Sequence, residues 1–233
     1  HRALDERGIA RGAADYVLAG ETHGAPIIGR LVERGLDNEL YGTAYAVVDG
    51  VDGRTHHIKL PDIEAVGDSA PGSIVELRAF EDAKGDRRVA LATRSDLSIE
   101  AQTTASGATW LDRQLVARDP ADLGGGFGLE VKQAMGARAD HLVREGLARR
   151  DGERILFNRN MIGTLRQREL DALGDRLAAE TGVPFQKASE GEYVTGAYRQ
   201  RFALASGRFA MIDDGLGFKL VPWTPSIEKH IGQ

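Results

Sequence analysis

Thr43-Ala44-Tyr45-Ala46-Val47-Val48-Asp49-Gly50-Val51-Asp52-Gly53-Arg54-Thr55-His56-His57-Ile58-Lys59-Leu60 reads as two short strands about a tight connection. β-Branched and aromatic residues gather in Thr43–Val48 and Thr55–Leu60, and the Asp49-Gly50 and Asp52-Gly53 dipeptides between them suit a backbone with positive φ. Pro61 ends the second strand because it has no amide to give to a ladder. Further out, Ile27–Val32 supplies a strand before this pair. Ser73–Arg78 and Arg88–Ala92, joined across Lys84-Gly85-Asp86, supply two after it. Five strands within residues 25–97 predict a small β-barrel of the OB or SH3-like kind.

Helical spacing brackets this region. Leu4, Ile9, Ala13, Val17 and Leu18 predict a short helix over 4–19, read as the remnant (1–24) of an upstream domain in a chain that is a piece of something longer. Residues 98–186 turn helical, with Trp110–Val116 behind Thr109, then Leu129–Ala139, Ala139–Glu145 and the longer Met161–Glu180. Arg149–Phe157 interrupts them as a hairpin about Asp151-Gly152, and helix, helix, basic hairpin is the order of a winged helix. Strands return in 187–233 as a terminal β unit that reads as truncated, over Tyr193–Tyr198, Phe202–Leu204, Arg208–Ile212 and Phe218–Val221. The expected class is α+β. A weak echo links Gly29 and Tyr45–Asp49 to Gly196 and Phe209–Asp213; a duplicated barrel and chance both explain it.

The chain has 233 residues, 42% hydrophobic and 28% charged, which excludes wholesale disorder. No run reaches the roughly 18 apolar residues of a membrane helix, so membrane insertion is not expected. Cysteine is absent, which removes disulfides, thiol catalysis and thiolate zinc sites and fits a reducing cytosol. The net charge of −5 disfavours non-specific nucleic-acid coating by the whole chain. Val131–Leu170 runs against that average, with nine basic residues and five acidic ones.

Adjacent His56 and His57 on a strand point to opposite faces, so they cannot chelate one metal and read as structural. Gly124-Gly125-Gly126-Phe127-Gly128 lacks the Gly-Lys-Ser/Thr end of a phosphate loop and reads as a flexible connector. The carboxylates Asp49, Asp52, Asp213 and Asp214 read as hairpin-tip residues. No nucleophile, base and oxyanion site assembles, so neither catalysis nor a cofactor is expected. The functional lead is arginine. Arg149, Arg150 and Arg154 would project from the wing, Arg166 and Arg168 would start the next helix, and Arg199, Arg201 and Arg208 form a second group beside Tyr198 and Phe209. A solvated face paired with Glu145, Asp151, Glu153 and Glu169 is the competing reading. Trp110 and Trp223 read as core or interface anchors rather than stacking platforms.

Four stretches carry a family resemblance. They are His1–Leu4 with Arg7-Gly8-Ile9, Tyr45–Gly50 with Asp52–His57, Ala105–Arg113, and Gly196–Arg201 through Ser206–Phe218 to Val221-Pro222-Trp223-Thr224-Pro225. Together they resemble the uncharacterised C-terminal region of plasmid relaxase or mobilization nucleases, proteins similar to the agrobacterial border endonuclease. The resemblance implies a conjugation protein. Its parent nicks the transfer origin through a tyrosine, with a metal held by a histidine cluster, and travels through a type IV secretion channel on the transferred strand. Those motifs belong to the N-terminal part of the family and no histidine cluster here matches, so no catalytic or metal residue carries over. The expected role is accessory, cytoplasmic and non-enzymatic, beside the relaxase N-terminal domain in cis. One form of that role is DNA binding near the transfer origin through the eight arginines. The other is a protein-interaction module presented to the coupling protein or secretion machinery.

Overall fold

A computed structural model of the chain describes residues 16–18 and 26–228. Its largest element is a six-stranded sheet of β1 (Tyr16–Leu18), β2 (Ile28–Asn38), β3 (Thr43–Gly50), β4 (Thr55–Leu60), β5 (Ile74–Glu81) and β6 (Arg87–Ser95), in the order β1–β4–β3–β2–β5–β6. Every ladder is antiparallel except that of β1 with β4. Alternation sends Ala44, Ala46 and Val48 of β3 and Ile58 and Leu60 of β4 to one face, where Ile27, Leu31, Val75 and Leu91 join them. Helix α1 (Ile63–Val66), capped by the Asp62 carboxylate on the Ala65 amide, adds Val66 to the same core. Leu60 and Leu91 lie four ladders apart yet share that core, so the sheet curls around it. No ladder joins β6 to β1 among the described residues.

The described residues divide into two units. The first takes those up to Thr104 and Trp110–Ile155; the second takes Ala105–Thr109 and those from Leu156 on. The first unit adds α2 (Ile99–Gln102), α3 (Trp110–Val116), α4 (Phe127–Arg144) and the hairpin β7 (Ala148–Asp151) with β8 (Arg154–Phe157), the last two residues of which belong to the second unit. Its helices build a second core from Ile99, Trp110, Leu111, Phe127, Val131 and Ala134 against Val51 and Ile74. Inside it, Arg138 of α4 donates from Nε and Nη2 to the two oxygens of Asp112 at 2.8 and 2.9 Å, with both side chains fully buried. Such a bidentate pair is strongly orienting, and loss of one partner strands a buried charge.

The second unit is α5 (Met161–Thr181) against a three-stranded antiparallel sheet, β9 (Ala197–Leu204), β10 (Gly207–Asp213) and β11 (Phe218–Pro222), followed by α6 (Pro225–Glu228). Leu170, Leu173 and Leu177 recur at helical spacing and meet Phe209, Met211, Phe218 and Leu220 from alternate sheet positions. Glu169 of α5 accepts the Ala205 and Ser206 amides at 3.2 and 2.9 Å, and Ser206 Oγ accepts the Ala108 amide at 2.9 Å.

Several expectations need correction. The helix over 4–19 lies outside the described residues except for Tyr16–Leu18, which form a strand. The two short helices meeting at Ala139 are one, α4, because no residue there breaks the 3.6 period. The final strands are three, since Tyr193–Gly196 precede β9 and Phe202–Leu204 continue it. The second sheet packs on a helix, so the echo is no second barrel. It has a local counterpart instead. A Cβ on Gly29 would lie 2.2 Å from the Asp49 carbonyl oxygen, and one on Gly196 2.5 Å from that of Asp213. In each case an arginine from the glycine's side of the ladder, Arg30 or Arg199, pairs with that aspartate.

The Gly124–Gly128 run is no flexible connector. The Gly124 amide donates to the Val51 carbonyl at 2.8 Å. Cβ atoms on Gly124 and Gly128 would each sit 2.3 Å from a carbonyl oxygen, of Asp52 and Val51 respectively. The start of α4 thus rests on the β3–β4 turn at backbone distance. Gly128→Ala should therefore destabilise the chain by about 1–3 kcal/mol through forced displacement. Gly136→Ala, at an exposed position of the same helix with nothing near its Cβ, should stabilise by about 0.5–1 kcal/mol. Urea unfolding of the two variants checks both signs.

Candidate functional site

The hairpin forms as its Asp-Gly dipeptide requires, with Gly152 at φ +63° between β7 and β8. Arg149, Arg150 and Arg154 are all exposed on it. Arg150 pairs with Asp140 of α4, while Arg149 and Arg154 make no ion pair among the described residues. The exposed side of α4 carries Leu129, Lys132, Gln133, Gly136, Ala137 and Arg144 at i, i+3, i+4 and i+7 spacing, and Asp140 on that side ties it to the hairpin. A helix face this slim, with a lysine and a glutamine and its one carboxylate already paired, has the shape and donors that a groove of duplex DNA accepts. The sequence reading counted Lys132 and Arg144 but did not see this stripe. The two-helix split at Ala139 hid its period.

The other five arginines belong to the second unit. Arg168 is exposed on α5, and Arg166 is half-buried with its guanidinium 5.2 Å from the centre of the Phe209 ring. Arg199 reaches Asp213 at 3.6 Å. Arg201 and Arg208 do not gather at Phe209. In register, Arg201 faces Ala210, and Arg208 is two residues from Ala210 on the same strand, so both stand on the sheet face away from α5. There they lie 4.6 and 5.7 Å from the centre of the Trp223 indole. The Trp223 amide donates to the Arg208 carbonyl at 2.9 Å, and Tyr198, Ala210 and Ile212 form an apolar floor. Sequence reasoning missed this grouping. The β10–β11 register, which puts Phe209 opposite Pro222, would have shown it.

The two histidines do point to opposite faces. His56 is buried opposite Val48 with Nε2 at 2.9 Å from Asp52 Oδ2, and His57 meets the Tyr45 ring edge-on at 5.6 Å. Asp49 is no hairpin-tip residue. It lies in β3, fully buried, and takes the Arg30 guanidinium at 2.9 Å; Arg30 also reaches Glu130 of α4 at 3.1 Å and covers the Phe127 ring at 4.4 Å. Among the described residues, no three His, Cys, Asp or Glu side chains gather to hold a metal. Asp213 and Asp214 do serve a turn, accepting the amides of Gly215, Leu216 and Gly217.

Burial raises the Asp52 carboxyl, but the hydrogen bonds from His56 and the Arg54 amide outweigh it and hold the group below its ordinary 3.8. A carboxyl lowered on folding adds stability above its unfolded pKa and loses it as pH falls through the folded value. Asp52→Asn should therefore lower stability at neutral pH and leave it little changed at low pH, flattening the acid limb below about pH 4. A urea series from pH 6 downward measures this.

A family model described as protein of unknown function (DUF3363) matches residues 1–90 and 76–233. No curated protein and no solved structure matches the chain. With its full length matched in these two overlapping stretches, the chain belongs to that family.

Proposed function

We propose that this chain is an accessory, DNA-binding region of a conjugative relaxase, acting at or near the transfer origin while nicking resides elsewhere in the parent protein. The observation that carries the reading is the exposed stripe of α4 running to a hairpin that bears Arg149, Arg150 and Arg154. The order α2, α3, α4, β7, β8 supports a winged-helix-like arrangement, with α4 in the groove and the hairpin on flanking phosphates. The curled sheet supports an OB or SH3-like ancestry for β2–β6. The stretches from Tyr45 and from Gly196 support relaxase membership through their resemblance. Among the described residues no helix is long and apolar enough to cross a membrane.

One observation favours the second reading, a module for the coupling protein or secretion machinery. Leu36, Leu40 and Tyr41 are 48%, 84% and 76% exposed at the β2–β3 tip, beside Asp37 and Glu39. Apolar tips of this kind are common protein contacts.

Replacing Arg149, Arg150 and Arg154 together by Ala should weaken binding of duplex origin DNA. Each lost phosphate contact should lower the log–log salt slope by about one. Stability should move by no more than about 0.5 kcal/mol, since the hairpin is exposed. Equal affinity and slope in the triple variant would remove the hairpin from the DNA surface, and absence of wild-type binding would put the protein-interaction reading first. The chain alone, with magnesium or manganese, should form no denaturant-resistant adduct with origin DNA; an adduct on Tyr16, Tyr41, Tyr45, Tyr193 or Tyr198 would refute the accessory role.

A further inference from the structure

We infer that Asp151-Gly152, at the tip of the β7–β8 hairpin, is a modification site where the chain, independently of any DNA contact, rearranges spontaneously to isoaspartate through a cyclic imide. Four Asp-Gly dipeptides occur in the chain, at 49–50, 52–53, 151–152 and 214–215, and Asn-Gly does not occur. The rearrangement needs two groups at once. One is a side-chain carboxyl free to turn back on the chain; the other is a following amide nitrogen that is unhindered and outside any hydrogen bond. Glycine supplies the least hindered nitrogen because it has no Cβ.

Three of the four dipeptides have both groups committed. Asp49 is fully buried on Arg30, and the Gly50 amide donates to the Arg54 carbonyl at 2.8 Å. Asp52 accepts the Arg54 amide and pairs with His56, while the Gly53 amide donates to the Gly50 carbonyl at 3.0 Å. Asp214 accepts the Leu216 and Gly217 amides, and the Gly215 amide donates to Asp213 at 2.8 Å. Asp151 and Gly152 differ. Both are exposed, and neither the carboxylate of the one nor the amide of the other has a partner among the described residues. A Cβ on Gly152 would meet nothing within 4 Å, so an imide ring has room to form.

The Gly152 nitrogen attacks the side-chain carbonyl carbon of Asp151 in its acid form. A new N–C bond closes a five-membered imide, and the carboxyl hydroxyl leaves as water with the amide proton. Water then adds to one of the two imide carbonyls. Cleavage at the side-chain carbonyl restores aspartate. Cleavage at the main-chain carbonyl leaves the backbone running through the side-chain carbon and the former peptide carbonyl as a free carboxylate. Water lost equals water gained, so no co-reactant is needed. The product lengthens the backbone by one methylene between Arg150 and Arg154, at the turn that sets the register of the hairpin.

The folded whole chain, held at neutral pH and physiological temperature and then digested, reads the site by electron-transfer mass spectrometry of each Asp-Gly peptide. Isoaspartate should build up at 151–152 at least about tenfold faster than at the other three pairs, the rate that one committed hydrogen bond withholds. In urea the four rates should converge, because the unfolded chain offers each pair the same freedom. Asp151→Glu, whose ring would be six-membered, should remove the signal, and Asp151→Asn, which loses ammonia in place of water, should speed it. No isoaspartate at Asp151 in the folded chain, or equal or faster build-up at any of the other pairs, would overturn the inference. An unchanged preference for 151–152 in urea would overturn it too, since the fold would then not select the site.

Discussion

The approach of one backbone to another at the β3–β4 turn is the constraint on which the first unit depends. Gly124 and Gly128 carry no side chain where the Asp52 and Val51 carbonyls stand, and a Cβ on Gly53 would come within 2.9 Å of the Gly125 backbone. That contact sets where α4 begins. It brings Phe127 beneath Arg30, puts Glu130 within reach of the same guanidinium, and sends Val131 into the core with Trp110 and Leu111. Two turns beyond Val131, Arg138 closes on Asp112 without solvent. The outward stripe of α4 follows from the same placement, because a helix pinned at one end and buried along one side has a single side left to present.

Arginine does three kinds of work here, and only burial separates them. Arg30 and Arg138 are structural cations that tie elements together, each paired with carboxylates from another part of the chain. Arg166, Arg201 and Arg208 lie over aromatic rings at the edge of solvent, where the ring quadrupole attracts the cation. Arg149, Arg154 and Arg168 stand in solvent. The excess of basic residues over Val131–Leu170 therefore overstates the charge offered to a partner, since Arg138 is fully internal and Arg150 is paired with Asp140. The net acidity of the chain is no obstacle to local binding, because screening over about 10 Å lets a surface act through its own charges.

Local chemistry made much of the chain legible by itself. Thr43–Leu60 announces its hairpin, Trp110–Val116 forms a helix with the bounds expected, and Asp151-Gly152 turns where a dipeptide of that kind should. These are short-range matters of φ, of side-chain periodicity and of turn preference, and neighbours along the chain are enough to settle them. The sequence did not reveal which glycines serve packing rather than freedom, which aspartate is buried, or which arginines share an indole. Gly124 looks like a hinge until Asp52 stands against it, and Asp49 looks like a turn residue until Arg30 is found across the ladder. Trp223 gained its two arginines only through the β9–β10–β11 register. Each of these depends on residues tens of positions away being brought within a few ångströms, and that long-range choice belongs to the tertiary structure because packing and desolvation, not local preference, decide it.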